Sequence, residues 1–91
     1  MLDRAVLDNQ GQEIGVINGM VKVKRTYKGF IVRTRLHAQK QFGIGGEIRI
    51  PLTAFSRTRE RLDEIVLSRT FDRVLQLPSF IAINDPNFAE E

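Results

Sequence analysis

The chain has 91 residues, with fourteen Lys and Arg against eleven Asp and Glu, one His, no Cys and a net charge of +3. This length suits one domain, and the absence of cysteine excludes disulfide bonds and thiolate metal sites. No apolar run reaches the ~20 residues that a membrane-spanning helix needs, and residues 1–4 lack the apolar segment of a signal peptide. We therefore expect a cytoplasmic protein without membrane insertion.

The positive charge is concentrated in one segment. Between Ile14 and Gly46 there are seven Lys and Arg and one His, but no acidic residue, so this segment carries +7. The rest of the chain holds seven Lys and Arg against eleven Asp and Glu, which gives −4. A basic segment of this kind favours anionic partners.

Two short strands are predicted before the hairpin. Residues 5–7 are apolar and end at a turn sequence, in which we expect Asp8 to accept hydrogen bonds that stabilise the turn. A second strand begins at residue 14. Gly15 and Gly19 within it predict a bulge or a sharp coil.

Residues 20–36 predict the central hairpin of the sheet. Apolar and basic residues alternate with a period of two on both sides of residues 26–29, which is the pattern of half-buried strands. With residues 26–29 as the loop, Val23 would face Val32 and Lys22 would face Arg33.

This hairpin would separate apolar from charged side chains. The valines, Phe30 and Thr34 would point inward, and four cations would share the outer face: Lys22, Lys24, Arg33 and Arg35. Like charges directly opposite one another destabilise a sheet. The face is therefore either solvated or offered to an anionic partner.

The next part of the chain predicts a polar, glycine-rich connection over residues 37–46. His37 would be an exposed loop residue there. Glycines 43, 45 and 46 lack the Lys-Ser of a phosphate-binding loop and precede a strand instead of a helix, so we interpret them as structural. Residues 47–52 alternate again as a strand, with Pro51 at its end or edge.

The last third predicts one short helix between two strands. Residues 56–64 predict an exposed charged connection, and residues 65–67 a short strand. Residues 70–77 have helical spacing, with Thr70 as N-cap and Pro78 as the stop.

The tail predicts a final strand over residues 80–83. We assign residues 1–84 to a single domain and residues 85–91 to an acidic, frayed tail. The whole pattern predicts a mainly β fold: a small antiparallel β-barrel or rolled sheet with one short C-terminal helix.

The order and spacing of these segments resemble the PRC-barrel family, which includes the cytoplasmic domain of the photosynthetic reaction-centre H subunit and the C-terminal domain of a ribosome maturation factor. The residues that carry the resemblance are Val6-Leu7-Asp8, Gly11, Ile14-Gly15-Val16-Ile17, Ile50-Pro51, Ile65-Val66-Leu67-Ser68 and Pro78-Ser79-Phe80. It covers residues 4–80, and residues 37–46 and 56–64 depart from the family pattern. The resemblance implies a non-catalytic module for protein contacts or assembly.

The residues themselves offer no catalytic centre. With a single His and no Cys, the chain lacks the residues that usually form a zinc site or a catalytic Cys-His pair. Asp63 and Glu64 are adjacent on the chain, and we interpret them as part of a solvated face. We therefore expect no enzymatic activity, no cofactor and no metal.

Two functions stay open. The first is a protein-interaction or assembly module, and the second is RNA or ribonucleoprotein binding through the basic residues of the hairpin. A single Tyr favours RNA only weakly. A homo-oligomer also stays open. The candidate partner-binding residues are Lys22, Lys24, Arg25, Tyr27, Lys28, Ile31, Arg33 and Arg35.

Overall fold

The computed structural model describes residues 4–55 and 64–88. The strands are β1 (Ala5–Leu7), β2 (Glu13–Val23), β3 (Thr26–Thr34), β4 (Glu47–Pro51) and β5 (Glu64–Val66). The helices are α1 (Leu36–Phe42), α2 (Phe71–Leu75) and α3 (Pro78–Ile83), with a 3₁₀ turn over Leu52–Ala54 after β4.

The strands form one sheet in the order β4-β3-β2-β1-β5. Neighbours are antiparallel except β1 and β5, which pair in parallel. The mainly β prediction is confirmed, but the antiparallel barrel is not, because the sheet is mixed and its described strands do not close. Beyond β4 and β5, an isolated bridge pairs Phe55 with Leu67, and Ser68 donates hydrogen bonds from its N–H and its Oγ to the carbonyl of Ala54.

The parallel pair has a simple cause. Strands joined by short turns become antiparallel neighbours, which is what the closely spaced strand patterns suggested. β5 instead returns after a long connection, and a long connection allows a strand to run in either direction. The predicted exposed connection falls on residues 56–63, which lie outside the described residues, and on Glu64, which begins β5.

The central hairpin is confirmed, but its loop and register are not those expected. β2 and β3 are joined by a two-residue turn at Lys24 and Arg25, not by residues 26–29. Val23 therefore lies opposite Thr26, and Val32 lies opposite Ile17. The predicted pairs of Val23 with Val32 and of Lys22 with Arg33 are wrong.

The inward prediction holds for most of the hairpin in spite of the new register. Phe30, Val32 and Thr34 are buried, and Val23 is half-buried beside the turn. Because side chains alternate along β3 whatever its partner, the buried set depends on the strand itself more than on the loop.

The glycines in β2 serve the coiling of this strand. A bulge separates Ile17 from Gly19, as the sequence predicted. Gly15 lies opposite Thr34, where a Cβ would come 2.9 Å from the carbonyl carbon of Arg33 and closer still to its oxygen. Only glycine therefore lets β3 approach β2 this closely at the turn into α1.

The first turn confirms the role expected of Asp8. Its Oδ1 accepts hydrogen bonds from the backbone N–H groups of Gln10 and Gln12, both at 2.9 Å. Asp8 is 2% exposed, so these bonds satisfy a buried carboxylate where β1 reverses into β2.

The helical content exceeds the single helix expected. The polar connection over residues 37–46 contains α1, which Gly43 ends in the left-handed conformation at φ 65°. α2 confirms the predicted helix, with Thr70 at the N-cap position but no capping bond from its side chain. Residues 80–83 belong to α3, so the predicted last strand is wrong.

Pro78 explains this last error. A proline stops a preceding helix, but it also fits the first turn of a new one, where its missing N–H has no partner in any case. Here Pro78 opens α3, and the spacing of three between Phe80 and Ile83 places both on its buried side.

The main core lies between the sheet and the helices. β2 and β3 contribute Ile14, Ile17, Phe30 and Val32, and the helices contribute Phe71, Val74 and Phe80. Two aromatic pairs bracket this core, because Phe30 meets Phe55 edge-on at 5.2 Å and Phe42 meets Phe71 at 4.8 Å. Within the described residues no helix has the length and apolar character needed to cross a membrane.

We expect the Gly15→Ala variant to lose about 1–3 kcal/mol of the free energy of unfolding, measured by urea denaturation. The added methyl group would overlap the backbone of Arg33 and force β2 and β3 apart. The Gly45→Ala variant is the control, since its nearest non-neighbouring atom would lie 4.0 Å away. Equal losses in the two variants would contradict the close approach at Gly15.

Candidate functional site

The turn between β2 and β3 is strained and cationic. Lys24 and Arg25 have positive φ angles of 48° and 69°, and they are the only described non-glycine residues with positive φ. Two successive positive φ angles are the signature of the two-residue type I′ turn, in which Asn and Gly are the preferred residues. Two long basic side chains therefore occupy positions that favour small ones.

Four cations surround this turn. They are Lys22, Lys24, Arg25 and Lys28, and together with Tyr27 we call them the basic tip. Lys22 lies opposite Tyr27, and its Nζ is 5.6 Å from the centre of the ring. Tyr27 is 51% exposed, so the cation–π contact leaves most of the ring available.

The charges of the basic tip are not compensated inside the described structure. Lys24, Arg25 and Lys28 are exposed and have no hydrogen bond or ion pair from their side chains to any described residue. Lys22 has only the Tyr27 ring. Within the described residues the tip is thus a compact group of cations without a counter-charge, and such a group attracts anions.

The other two predicted arginines lie at the opposite end of the hairpin. Arg33 lies opposite Val16 and Glu47, and its Nη2 donates a hydrogen bond of 3.1 Å to Oδ1 of Asn18. Arg35 forms an ion pair with Glu13. The four cations are therefore not adjacent to one another as expected, because the register places two of them at each end of the hairpin.

Ile31 lies between these two ends. It is half-buried, and its Cδ1 is 3.4 Å from the position that a Cβ on Gly19 would take. The structure thus brings together five of the eight predicted site residues at the basic tip, and separates Ile31, Arg33 and Arg35 from them.

An apolar groove of about 440 Å³ begins at the basic tip. Its hairpin side is formed by Val23 and Lys28, which flank the turn. Pro51, the last residue of β4, and Thr53 continue this side. The opposite side is formed by α3 and the segment after it, through Ser79, Ala82, Ile83 and Phe88.

The residues of the helical side were missed from the sequence. Residues 80–83 were assigned to a strand and residues 85–91 to a tail, so Ala82, Ile83 and Phe88 had no place in a site. A signal was available, since a proline followed by apolar residues spaced by three is typical of a helix start.

Asn84 holds this helical side against the sheet. Its Oδ1 accepts a 2.9 Å hydrogen bond from the backbone N–H of Arg49, and its Nδ2 donates a 2.7 Å bond to the Arg49 carbonyl. The side-chain amide therefore takes the place of one residue of an additional strand on the edge of β4. Such a cover protects an edge that could otherwise pair with another chain.

No other chemistry is gathered in the described residues. They contain no group of three or more His, Asp or Glu that could hold a metal ion. His37 is exposed, as expected, but it lies in the first turn of α1, where its Nε2 is 2.9 Å from the carbonyl oxygen of Glu13. The strand that follows Gly45 and Gly46 agrees with their structural interpretation.

Comparison with family models found no match, and comparisons with curated proteins and with solved structures found no significant similarity. The resemblance to the PRC-barrel family therefore stays a prediction from the sequence.

We expect the Asn84→Ala variant to speed hydrogen exchange at the Arg49 amide about 2- to 10-fold, because its N–H loses a solvent-accessible hydrogen bond worth about 0.5–1.5 kcal/mol. Native-state exchange followed by NMR measures this directly. The Asn87→Ala variant removes an exposed amide with no side-chain bond in the described structure, and should leave Arg49 unchanged. Unaltered exchange in Asn84→Ala would show that the edge is closed by something else.

Proposed function

We propose that the protein is a non-catalytic interaction module that binds a protein partner through the basic tip. The observation that carries this proposal is the cationic turn itself. Left-handed backbone costs a residue with a side chain roughly 1–2 kcal/mol, yet Lys24 and Arg25 adopt it and their side chains bond to no described residue. Backbone strain that no contact within the described residues compensates is typical of sites that contact another molecule.

The tip also has the composition of a contact surface. Tyr and Arg are enriched where proteins bind one another, because they offer a large contact area together with hydrogen-bond donors. Tyr27 and Arg25 supply both at the tip, and the apolar groove adjoins them. The surrounding lysines would steer an acidic partner toward the groove.

A PRC-barrel-like assembly role in the cytoplasm is the finer form of this proposal. Its support is the resemblance of residues 4–80 to that family. In that family the domain makes protein contacts and carries no catalytic residues, which agrees with a binding role for this chain.

RNA binding is the second candidate, and the concentration of four cations at one tip favours it. Phosphate groups need only positive charge at suitable spacing. Against it, Tyr27 is the single ring at the tip, whereas single-stranded nucleic acids are usually held by several stacked rings. Arg33 and Arg35, which were expected to extend the basic surface, lie at the far end of the hairpin.

We expect the double variant Lys24→Asn with Arg25→Gly to separate stability from binding. Its residues fit the type I′ turn, so the free energy of unfolding should rise by about 1–2 kcal/mol. Capture of partner protein from native lysate by the immobilised variant should fall about tenfold, because two contact cations are gone. Urea denaturation and quantitative pull-down measure the two effects.

The control is the double variant Lys40→Gln with Arg73→Gln, which loses the same charge at exposed positions of α1 and α2. It should capture as much partner as the unmodified protein. Equal capture by both variants would exclude the tip as the contact surface. Capture that ribonuclease abolishes, with affinity for a generic single-stranded RNA falling about 50-fold between 50 and 200 mM salt, would identify RNA as the ligand.

A further inference from the structure

The groove beside the basic tip limits the chemistry of its occupant. We infer that it binds a short acidic segment of a partner protein, which inserts one large apolar side chain next to Lys28. This inference rests on the proposed function, since it names the partner's chemistry at the same surface.

The walls of the groove favour an apolar group. Val23 and Pro51 face Ala82, Ile83 and Phe88 across it, and its volume of about 440 Å³ lies within the range of pockets that hold small ligands or single side chains. Ile83 is 3% exposed, so the base of the groove is firmly held by the fold. Filling it would remove apolar surface from water, which is the main favourable term in association.

The charges at the groove select an acidic occupant. Among the described residues that line it, Lys28 is the only charged one, and none is acidic. Lys22, Lys24 and Arg25 lie within six residues of Lys28 around the same turn. The nearest described acid in the chain, Asp85, lines a separate groove with Arg49 and Asn84. A basic segment would meet uncompensated like charges here, whereas an acidic one would neutralise them.

An acidic peptide satisfies both requirements, and a nucleic acid satisfies only one. RNA would meet the cations with its phosphates, but a phosphate or sugar gains little from aliphatic walls, and these make up most of the groove. A protein segment can place a carboxylate at the tip and an aliphatic side chain in the groove within two or three residues. The groove therefore favours a protein segment over a nucleic acid.

The test uses three synthetic peptides of seven residues in NMR titrations of the full chain. The first has a central leucine flanked by glutamates, the second has serine in place of the leucine, and the third has lysines in place of the glutamates. The first should shift the amide resonances of Val23, Lys28, Ala82, Ile83 and Phe88. It should bind at least about tenfold tighter than the other two.

Two variants and a control locate the contact. Lys28→Glu reverses the charge in the groove, and Ala82→Glu adds both bulk and a carboxylate to its helical side. Each should weaken the first peptide about tenfold. Both positions are exposed, and a dispersed NMR spectrum verifies that each variant folds. Arg73→Glu makes the same reversal at a cation that lines a different groove with Asn9, and should leave the affinity unchanged.

The outcomes separate this inference from the proposed function. Equal binding of the serine peptide would overturn the groove inference and leave the tip as a contact surface. Shifts caused by a single-stranded oligouridylate at the tip, with none from the three peptides, would overturn it in favour of RNA. If Arg73→Glu weakened peptide binding as much as Lys28→Glu does, the peptide would be held by general charge attraction, and the groove inference would be overturned. Failure of the tip variant to reduce capture from lysate would instead remove the proposed function.

Discussion

The two-residue turn at Lys24 and Arg25 is the constraint on which the candidate site depends. Because the turn has only two residues, Lys22 lies opposite Tyr27, and the register shifts between Val21 and Lys22 and between Ile17 and Gly19 set the remaining pairs of β2 with β3. Pairing with β4 places Arg33 opposite Glu47, and no two like charges are directly paired along the hairpin. A four-residue loop would have placed Lys22 against Arg33, which destabilises a sheet. The register thus keeps like charges from facing each other along the strands. Four cations are instead concentrated at the turn, where water, ions or a partner can reach them.

The groove depends on a second and independent constraint, which is the docking of α3. The two bonds between Asn84 and the backbone of Arg49 attach the end of the helix to the edge of β4. Asn84 also donates to the carbonyl of Phe80 through Nδ2, which ties this contact to the helix itself. Pro51, which has no N–H, leaves the same edge one donor short further along. The edge is therefore unsuited to strand addition, and the groove above it becomes the available surface.

The sequence predicted the buried half of the fold better than its connections. Alternation identified β3 and the inward side chains Phe30, Val32 and Thr34, because burial follows from period two alone. The turn was missed since Lys-Arg carries none of the usual type I′ signals, whereas Gly29 supplied a false one. The helices α1 and α3 are seven and six residues long, too short for a clear helical period. The sequence predicted the cations of the site, because their charge can be read from it directly. It did not predict the groove, because one side of the groove is formed by α3.

Cross-strand nuclear Overhauser effects between backbone protons of the hairpin distinguish the two-residue turn from a four-residue loop. The two-residue turn requires contacts of Lys22 with Tyr27 and of Gly15 with Thr34, together with αH–NH couplings for Lys24 and Arg25 that correspond to positive φ. Contacts of Val23 with Val32 and of Lys22 with Arg33 would contradict it, since they require the four-residue loop. In that case the cations would lie along the strands, and neither the basic tip nor its groove would exist as described.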